Sequence, residues 1–160
     1  MNPTSKAKLL LEQFPRMRLP VRLHTICDKL GIQIRYAVAP VESFDAFYIE
    51  GLERDISRLI IVNDAFPLTH QRFSVAHEIG HIVLGHGSSN FLAGKIKNDR
   101  ESSEEIAANR FAAELLMPAS RILQQKLTKP EQISYVCHVS LEAARIRLSE
   151  LTFTTQRTAV

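Results

Sequence analysis

Cysteines and long apolar runs are both scarce in this sequence of 160 residues. The two cysteines, Cys27 and Cys137, lie far apart and form no CxxC pair, which favours buried free thiols in a reducing compartment over a disulfide framework. The apolar run Leu9-Leu10-Leu11 ends at Glu12, so it is too short for a signal peptide, and no later run approaches the length of a membrane span. We therefore expect a cytoplasmic protein.

Long runs of like charge are missing as well. The net charge of +3 is spread along the chain, so the composition by itself points neither to a nucleic acid nor to a membrane surface as partner. A hydrophobic content of 45% and a charged content of 23% are ordinary for a globular chain with a real core. No repeat or low-complexity segment interrupts the sequence. We therefore expect one domain over residues 1–160, with an N-terminal extension (1–19), a core (20–128), a helical element (129–152) and a tail (153–160).

An HExxH motif, His77-Glu78-Ile79-Gly80-His81, lies near the middle of the chain. Because an α-helix repeats every 3.6 residues, the two histidines stand one turn apart on one helix face. Two imidazoles in that arrangement can chelate one Zn²⁺, with Glu78 beside it as a general base. The flanking residues are apolar on most sides, which predicts a buried helix where unpartnered polar groups would be costly. The alternative is a pair of hydrogen-bonded core histidines.

The pattern of apolar residues predicts an α+β fold. Three short strands without long helices between them indicate a small three-stranded antiparallel sheet. Pro67 and Thr69 open the motif helix, with Thr69 as its N-cap, and residues 85–100 form an irregular loop beside the site. The predicted strands are 32–36, 44–49 and 58–62, and the predicted helices are 4–14, 21–30, 69–84, 101–117, 119–127, 130–138 and 140–151. The C-terminal half is therefore helical, and the motif helix is buried at the centre.

A catalytic zinc ion usually has three protein ligands, and HExxH supplies two. A third histidine at the HExxHxxGxxH spacing is missing, because Gly87 occupies that position and His86 falls one residue short of it. We predict that Glu105 is the third ligand, because it shares a helix face with Asn109. Asn109 can hold a ligand histidine by its other ring nitrogen. The small residues Ala108 and Ala112 on that helix allow a close approach to Gly80 of the motif helix.

Other readings of this glutamate remain open. Ser102-x-x-Glu105 is also a capping box, in which Glu105 would only tie down a helix start. Glu104 is the next candidate for the third ligand, and Glu101 and Glu114 are also available.

Two runs of this sequence resemble the ImmA/IrrE family of metallo-endopeptidases. They are Arg72-Phe73-Ser74-Val75-Ala76-His77-Glu78-Ile79-Gly80-His81 and Glu105-x-x-Ala108-Asn109-Arg110-Phe111-Ala112-Ala113-Glu114-Leu115-Leu116-Met117-Pro118. The resemblance implies a zincin-like minimal metallopeptidase in which His77, His81 and Glu105 bind zinc, or manganese, and Glu78 is catalytic. It implies as substrate a helix-turn-helix repressor of a mobile element or stress regulon, often encoded nearby. Some members carry an appended domain, which we do not expect here.

The sequence leaves open the second oxyanion donor and two rival functions. A second donor to the oxyanion is expected, and it could come from any of five residues: Tyr48, His70, Arg72, His86 or Tyr135. A rival function is a helix-turn-helix DNA-binding module at 130–151, where Arg145 and Arg147 would contact DNA, but a helix pair that closes the core is favoured because basic residues are few. Another rival is a metal-bound regulator that binds the repressor without hydrolysis.

Overall fold

The computed structural model describes residues 2–53, 56–87 and 102–157, and they form a mixed α+β fold. The elements in chain order are α1 (Pro3–Glu12), α2 (Leu23–Leu30), β1 (Gln33–Ala37), β2 (Ala46–Glu53), β3 (Ile56–Asn63), α3 (Leu68–Leu84), α4 (Ser103–Leu116), α5 (Ala119–Gln124), α6 (Pro130–Cys137) and α7 (Leu141–Arg157). None of the helices in these ranges combines the length and the apolar character needed to span a lipid bilayer. Most of the predicted loop 85–100 lies outside the described residues.

The sheet is mixed, so the prediction of an antiparallel sheet is wrong. Its strand order is β1-β3-β2, with β2 antiparallel to β3 and β1 parallel to β3. A parallel pair needs a crossover connection, which is usually a helix. Here β2 itself lies in the connection between β1 and β3, so the crossover requires no helix. The absence of helices between the strands therefore does not determine their directions.

Local backbone chemistry sets the ends of the helices around the motif. α3 begins at Leu68 with Pro67 as its N-cap residue and without a side-chain cap bond, so the prediction of Thr69 as N-cap is wrong. Pro67 supplies the extended ψ of 149° that precedes a helix and removes its own N–H donor. α4 begins after Ser102, whose hydroxyl accepts a hydrogen bond from the Glu105 N–H at 3.2 Å.

The centre of the molecule is the contact between α3 and α4, the helix that α3 touches most extensively. At Gly80, a Cβ atom would come within 3.2 Å of the Ala108 carbonyl oxygen and of Phe111 Cδ1. Ala108, Phe111 and Ala112 are fully buried there. The structure thus confirms the expected close approach of small residues, and Gly80 permits it because it has no side chain.

The C-terminal helices close the core. Ile133 and Cys137 of α6 and Ala144 of α7 are fully buried, as is Val139 between the helices. The Arg147 side chain is also buried: its guanidinium pairs with Glu114 and donates to the Met117 carbonyl at 3.0 Å. Arg147 is therefore not available to contact DNA, which removes one of the two arginines on which the helix-turn-helix alternative depends.

The buried ion pair yields a prediction about stability. Arg147→Leu leaves the buried Glu114 carboxylate without its cation, and we expect a loss of about 3–5 kcal/mol in the free energy of unfolding, as is typical when one partner of a buried pair is removed. Arg145→Leu on the exposed face of α7 is the matched control and should be about as stable as the wild type. Denaturant unfolding of both variants measures the difference. Equal stabilities would contradict the conclusion that Arg147 compensates the buried charge of Glu114.

Candidate metal centre

Two turns of α3 present His77 and His81 side by side. Their ring centroids are 4.6 Å apart, with the rings inclined at 68°, and their Nε2 atoms are 2.9 Å apart. This arrangement follows from the four-residue spacing, which places both side chains on the same helix face. The side chains are only 16% and 12% exposed, so the two imidazoles occupy a largely desolvated position.

Glu105 reaches the same point from α4. One of its carboxylate oxygens lies 3.0 Å from His77 Nε2, and the other lies 3.1 Å from His81 Nε2. The bond to the Ser102 hydroxyl uses only the backbone N–H of Glu105, so the carboxylate remains free to face the histidines. Ser102 therefore caps the helix, and the Glu105 side chain meets the histidines. A capping box would instead place the Glu105 carboxylate at the Ser102 N–H, so this geometry favours the ligand hypothesis.

The outer nitrogen of each histidine has its own partner. His77 Nδ1 lies 2.9 Å from the Asn109 side-chain oxygen, as expected from the position of Asn109 one turn after Glu105. His81 Nδ1 lies 3.0 Å from His86 Nδ1, a contact that the sequence does not predict. The only sequence signal for it is a histidine placed directly after the glycine that ends the motif helix. Asn109 and His86 thus both lie behind the imidazoles, away from the shared Nε2 position.

Burial, hydrogen bonds and neighbouring charges shift the pKa values of His77, His81 and Glu105. Burial, and then the charge of His77, lower the pKa of His81 to about 4. Burial alone would lower the pKa of His77, but the Glu105 hydrogen bond and the charges of Glu78 and Glu105 together raise it above its ordinary value. The same hydrogen bond from His77 lowers the pKa of the Glu105 carboxyl. At neutral pH, His81 is therefore neutral and Glu105 is charged, the states in which these side chains bind metal ions.

The three side chains fit a metal ion by their donor atoms and by their spacing. His77, His81 and Glu105 each offer one ligand atom, and these atoms lie within 4.8 Å of one another. Zinc binds imidazole nitrogen and carboxylate oxygen at about 2.0–2.2 Å, and two tetrahedral ligands of one ion are then roughly 3.4 Å apart. The observed separations of 2.9–3.1 Å are a few tenths of an ångström shorter. A small outward movement of each side chain would accommodate an ion.

Among the described residues, the other acidic candidates do not belong to this cluster of metal-binding side chains. Glu78 is 6% exposed and lies next to His77 on α3. Glu104 is exposed on the first turn of α4, and Glu114 is buried against Arg147. Glu101 lies outside the described residues. Among the residues that the structure describes, Glu105 is the acid that joins the two histidines in a cluster with metal-ligand spacing.

Three of the candidate oxyanion donors have other partners or are exposed to solvent. Tyr48 is buried, and burial first, then a hydrogen bond with Glu50, raise its pKa to about 12. Arg72 donates to the backbone carbonyls of Val21 and His138. Tyr135 is 81% exposed on α6, a helix that packs mainly on α7.

The two histidine candidates lie nearer the motif. His70 lies two turns before His77 on the same helix face, paired with Asp45 at 3.1 Å and stacked on Phe66. His86 faces the far edge of the His81 ring, as described above.

Comparisons with known proteins give the family and the fold of this chain. Residues 27–149 match the profile of the peptidase M78 family, described as the IrrE N-terminal-like domain, which confirms the family resemblance. A solved structure described as a Mycobacterium tuberculosis transcriptional regulator is similar, with a TM-score of 0.64 and 14% identity, over 92% of this chain. This sequence spans 46% of that chain, and at 14% identity the likeness shows a shared fold alone. No curated protein matches the sequence.

A substitution at Glu105 tests its role as a ligand. Glu105→Gln keeps the backbone N–H bond to Ser102 but replaces the charged oxygen, so we expect zinc affinity to fall at least tenfold while helix content is unchanged. Glu104→Gln is the matched control on the neighbouring residue and should bind zinc like the wild type. Zinc titration against a competing chelator compares them. Loss of affinity in Glu104→Gln instead would identify Glu104 as the ligand.

The pKa directions predict how metal binding depends on pH. Because the pKa of His77 is raised, a proton must leave His77 before a metal ion binds, and the apparent affinity should fall about tenfold per pH unit below that pKa. His81 has a pKa of about 4, so a proton on His81 should compete with the metal ion only in more acidic solution. Metal titrations between about pH 8 and pH 5 measure the slope, and a pH-independent affinity in this range would contradict the prediction.

Proposed function

This chain belongs to the peptidase M78 family of IrrE N-terminal-like domains, and we propose that it is a zinc-dependent endopeptidase. The observation that carries the proposal is the convergence of His77, His81 and Glu105 next to the buried Glu78. Two imidazoles and one carboxylate are a ligand set of catalytic zinc sites, which leave one position open for water or substrate. Manganese is the alternative metal. In this proposal the mixed α+β fold is a minimal zincin-like peptidase domain.

In this proposal each residue has one task. His77 and His81 bind the metal through Nε2, and Glu105 binds it through its carboxylate. Asn109 accepts the Nδ1–H of His77, which directs the lone pair of His77 Nε2 towards the ligand position. The bound ion supplies Lewis acidity, which lowers the pKa of water and polarises a peptide carbonyl.

Glu78 acts as the general base. Its carboxylate accepts a proton from the attacking water and then delivers it to the leaving amine nitrogen as the peptide bond breaks. Burial beside His77 keeps this carboxylate in a fixed position, whereas a solvated glutamate would sample many rotamers. The proton is thus returned to the product, and Glu78 is regenerated as a carboxylate after each cycle.

The proposed substrate is a helix-turn-helix repressor, encoded near this protein. The family resemblance supports this assignment, and the shared fold with a protein described as a transcriptional regulator is consistent with it. Cleavage at one or a few exposed linker bonds would separate DNA-binding and dimerisation segments, and so relieve repression of a mobile element or stress regulon. A restricted substrate range is expected, because an unselective peptidase would damage the proteins around it.

The general base provides the sharpest test of hydrolysis. Glu78→Gln has nearly the same shape, so we expect it to keep the fold and the metal. An amide cannot accept the proton of water, and cleavage should slow by about 10²–10⁴-fold. The assay co-expresses the wild type or the variant with the neighbouring repressor and follows the intact mass of the repressor, while elemental analysis checks the metal content of both proteins.

Each contrary outcome has a distinct meaning. Equal cleavage by the wild type and Glu78→Gln would contradict the role of the base. An intact repressor with the wild type, with zinc or manganese added and under inducing stress, would contradict the peptidase assignment. Repressor inactivation without cleavage, equal in both proteins, would instead identify a metal-bound regulator that acts by binding.

A further inference from the structure

The end of α3 turns back on itself and places His86 behind the metal-binding face. Gly85 has a φ of 79°, in the left-handed region, where a residue without Cβ is favoured. The N–H groups of Gly85 and His86 both donate to the His81 carbonyl at 3.0 Å. This reversal returns the chain to the last turn of the helix, so His86 lies beside His81 although it lies beyond the end of the helix.

The contact between the two rings is directional. The His86 and His81 centroids are 5.1 Å apart with an interplanar angle of 71°, and the two Nδ1 atoms are 3.0 Å apart. Two imidazole nitrogens at this distance share one hydrogen, so one donates and the other accepts. The opposite edge of the His81 ring carries Nε2, which faces Glu105 at 3.1 Å.

Metal binding decides which ring donates. A neutral histidine carries its proton on one nitrogen only, so a lone pair on His81 Nε2 requires the proton on Nδ1. His81 is then the donor, and His86 Nδ1 is the acceptor. Asn109 accepts from His77 Nδ1 in the same way. Each histidine of the motif therefore has an acceptor at its outer nitrogen, from α4 in one case and from the helix-ending turn in the other.

We propose that His86 is a positioning residue, which accepts the Nδ1–H of His81 and so fixes the tautomer and ring orientation in which His81 binds the metal. This inference rests on the metal site of the proposed function. His86 Nδ1 faces the far edge of the His81 ring, so His86 acts through His81 and is not itself a ligand. Partners of this kind typically change metal affinity by 10–100-fold.

Two variants of His86 separate hydrogen bonding from packing. His86→Asn keeps an acceptor oxygen close to the position of Nδ1 but removes the ring. His86→Phe keeps a ring against His81 but removes the acceptor. His24→Phe is the control for loss of a histidine, because His24 is exposed on α2 and its ring stacks on Tyr36 rather than on the motif.

The readouts are the affinity for Zn²⁺ in competition with a chelator, the visible spectrum of the Co²⁺-loaded protein, and the melting temperature without metal. We expect His86→Phe to bind Zn²⁺ 10–100-fold more weakly than the wild type, and His86→Asn and His24→Phe to stay within about threefold of it. The saturated Co²⁺ spectrum of His86→Phe should keep the band positions of the wild type, because the ligand set is unchanged. The melting temperatures without metal should be similar.

The opposite order of affinities, with His86→Asn binding Zn²⁺ more weakly than His86→Phe, would assign His86 to packing and overturn the proposal. Wild-type affinity in both variants would overturn it as well, and shifted Co²⁺ bands would make His86 a ligand instead. These measurements need no substrate, so they are separate from the test of peptidase activity. If Glu105→Gln loses zinc and His86→Phe does not, the positioning role fails while the proposed metal site stands.

Discussion

The close approach of α3 and α4 at Gly80 is the constraint on which the site depends. A side chain at this position would meet the Ala108 backbone and the Phe111 ring at 3.2–3.3 Å, so an added Cβ would push the two helices apart by a few tenths of an ångström. Glu105 precedes Ala108 by one turn, and the same approach brings its carboxylate to within 3.1 Å of both histidines. A wider separation of the helices would leave two imidazoles on α3 without their acid.

Both ends of α4 are fixed, and this holds Glu105 in place. At the N-terminus the Ser102 hydroxyl accepts from the Glu105 N–H, and towards the C-terminus the buried Glu114 pairs with Arg147 of α7. The C-terminal helices therefore contribute to the site without touching it, because they anchor the helix that carries the third proposed ligand. Removing the two charges from water is costly. In return, each charge has its partner at a defined position, and the pair fixes α4 against α7.

Sequence reasoning predicted the parts of the molecule that depend on local spacing. The motif helix, the shared face of Glu105 and Asn109, and the approach at Gly80 follow from helical periodicity and residue size, and the structure places these residues together. The direction of β1 could not be predicted in this way, because alternation along a strand indicates its two faces but not which strand it pairs with or in which direction. The contact of His86 with His81 was also missed, because it arises from the left-handed turn at Gly85 and not from helical spacing.

The central claim is that one metal ion binds between the two motif histidines and Glu105, and diffraction tests it most directly. Crystals of the zinc-loaded protein, measured above and below the zinc absorption edge, locate any bound zinc by anomalous scattering. We predict one strong peak about 2.0–2.2 Å from His77 Nε2, His81 Nε2 and a Glu105 oxygen. A peak on other residues, or no peak in protein with a full equivalent of zinc, would contradict it.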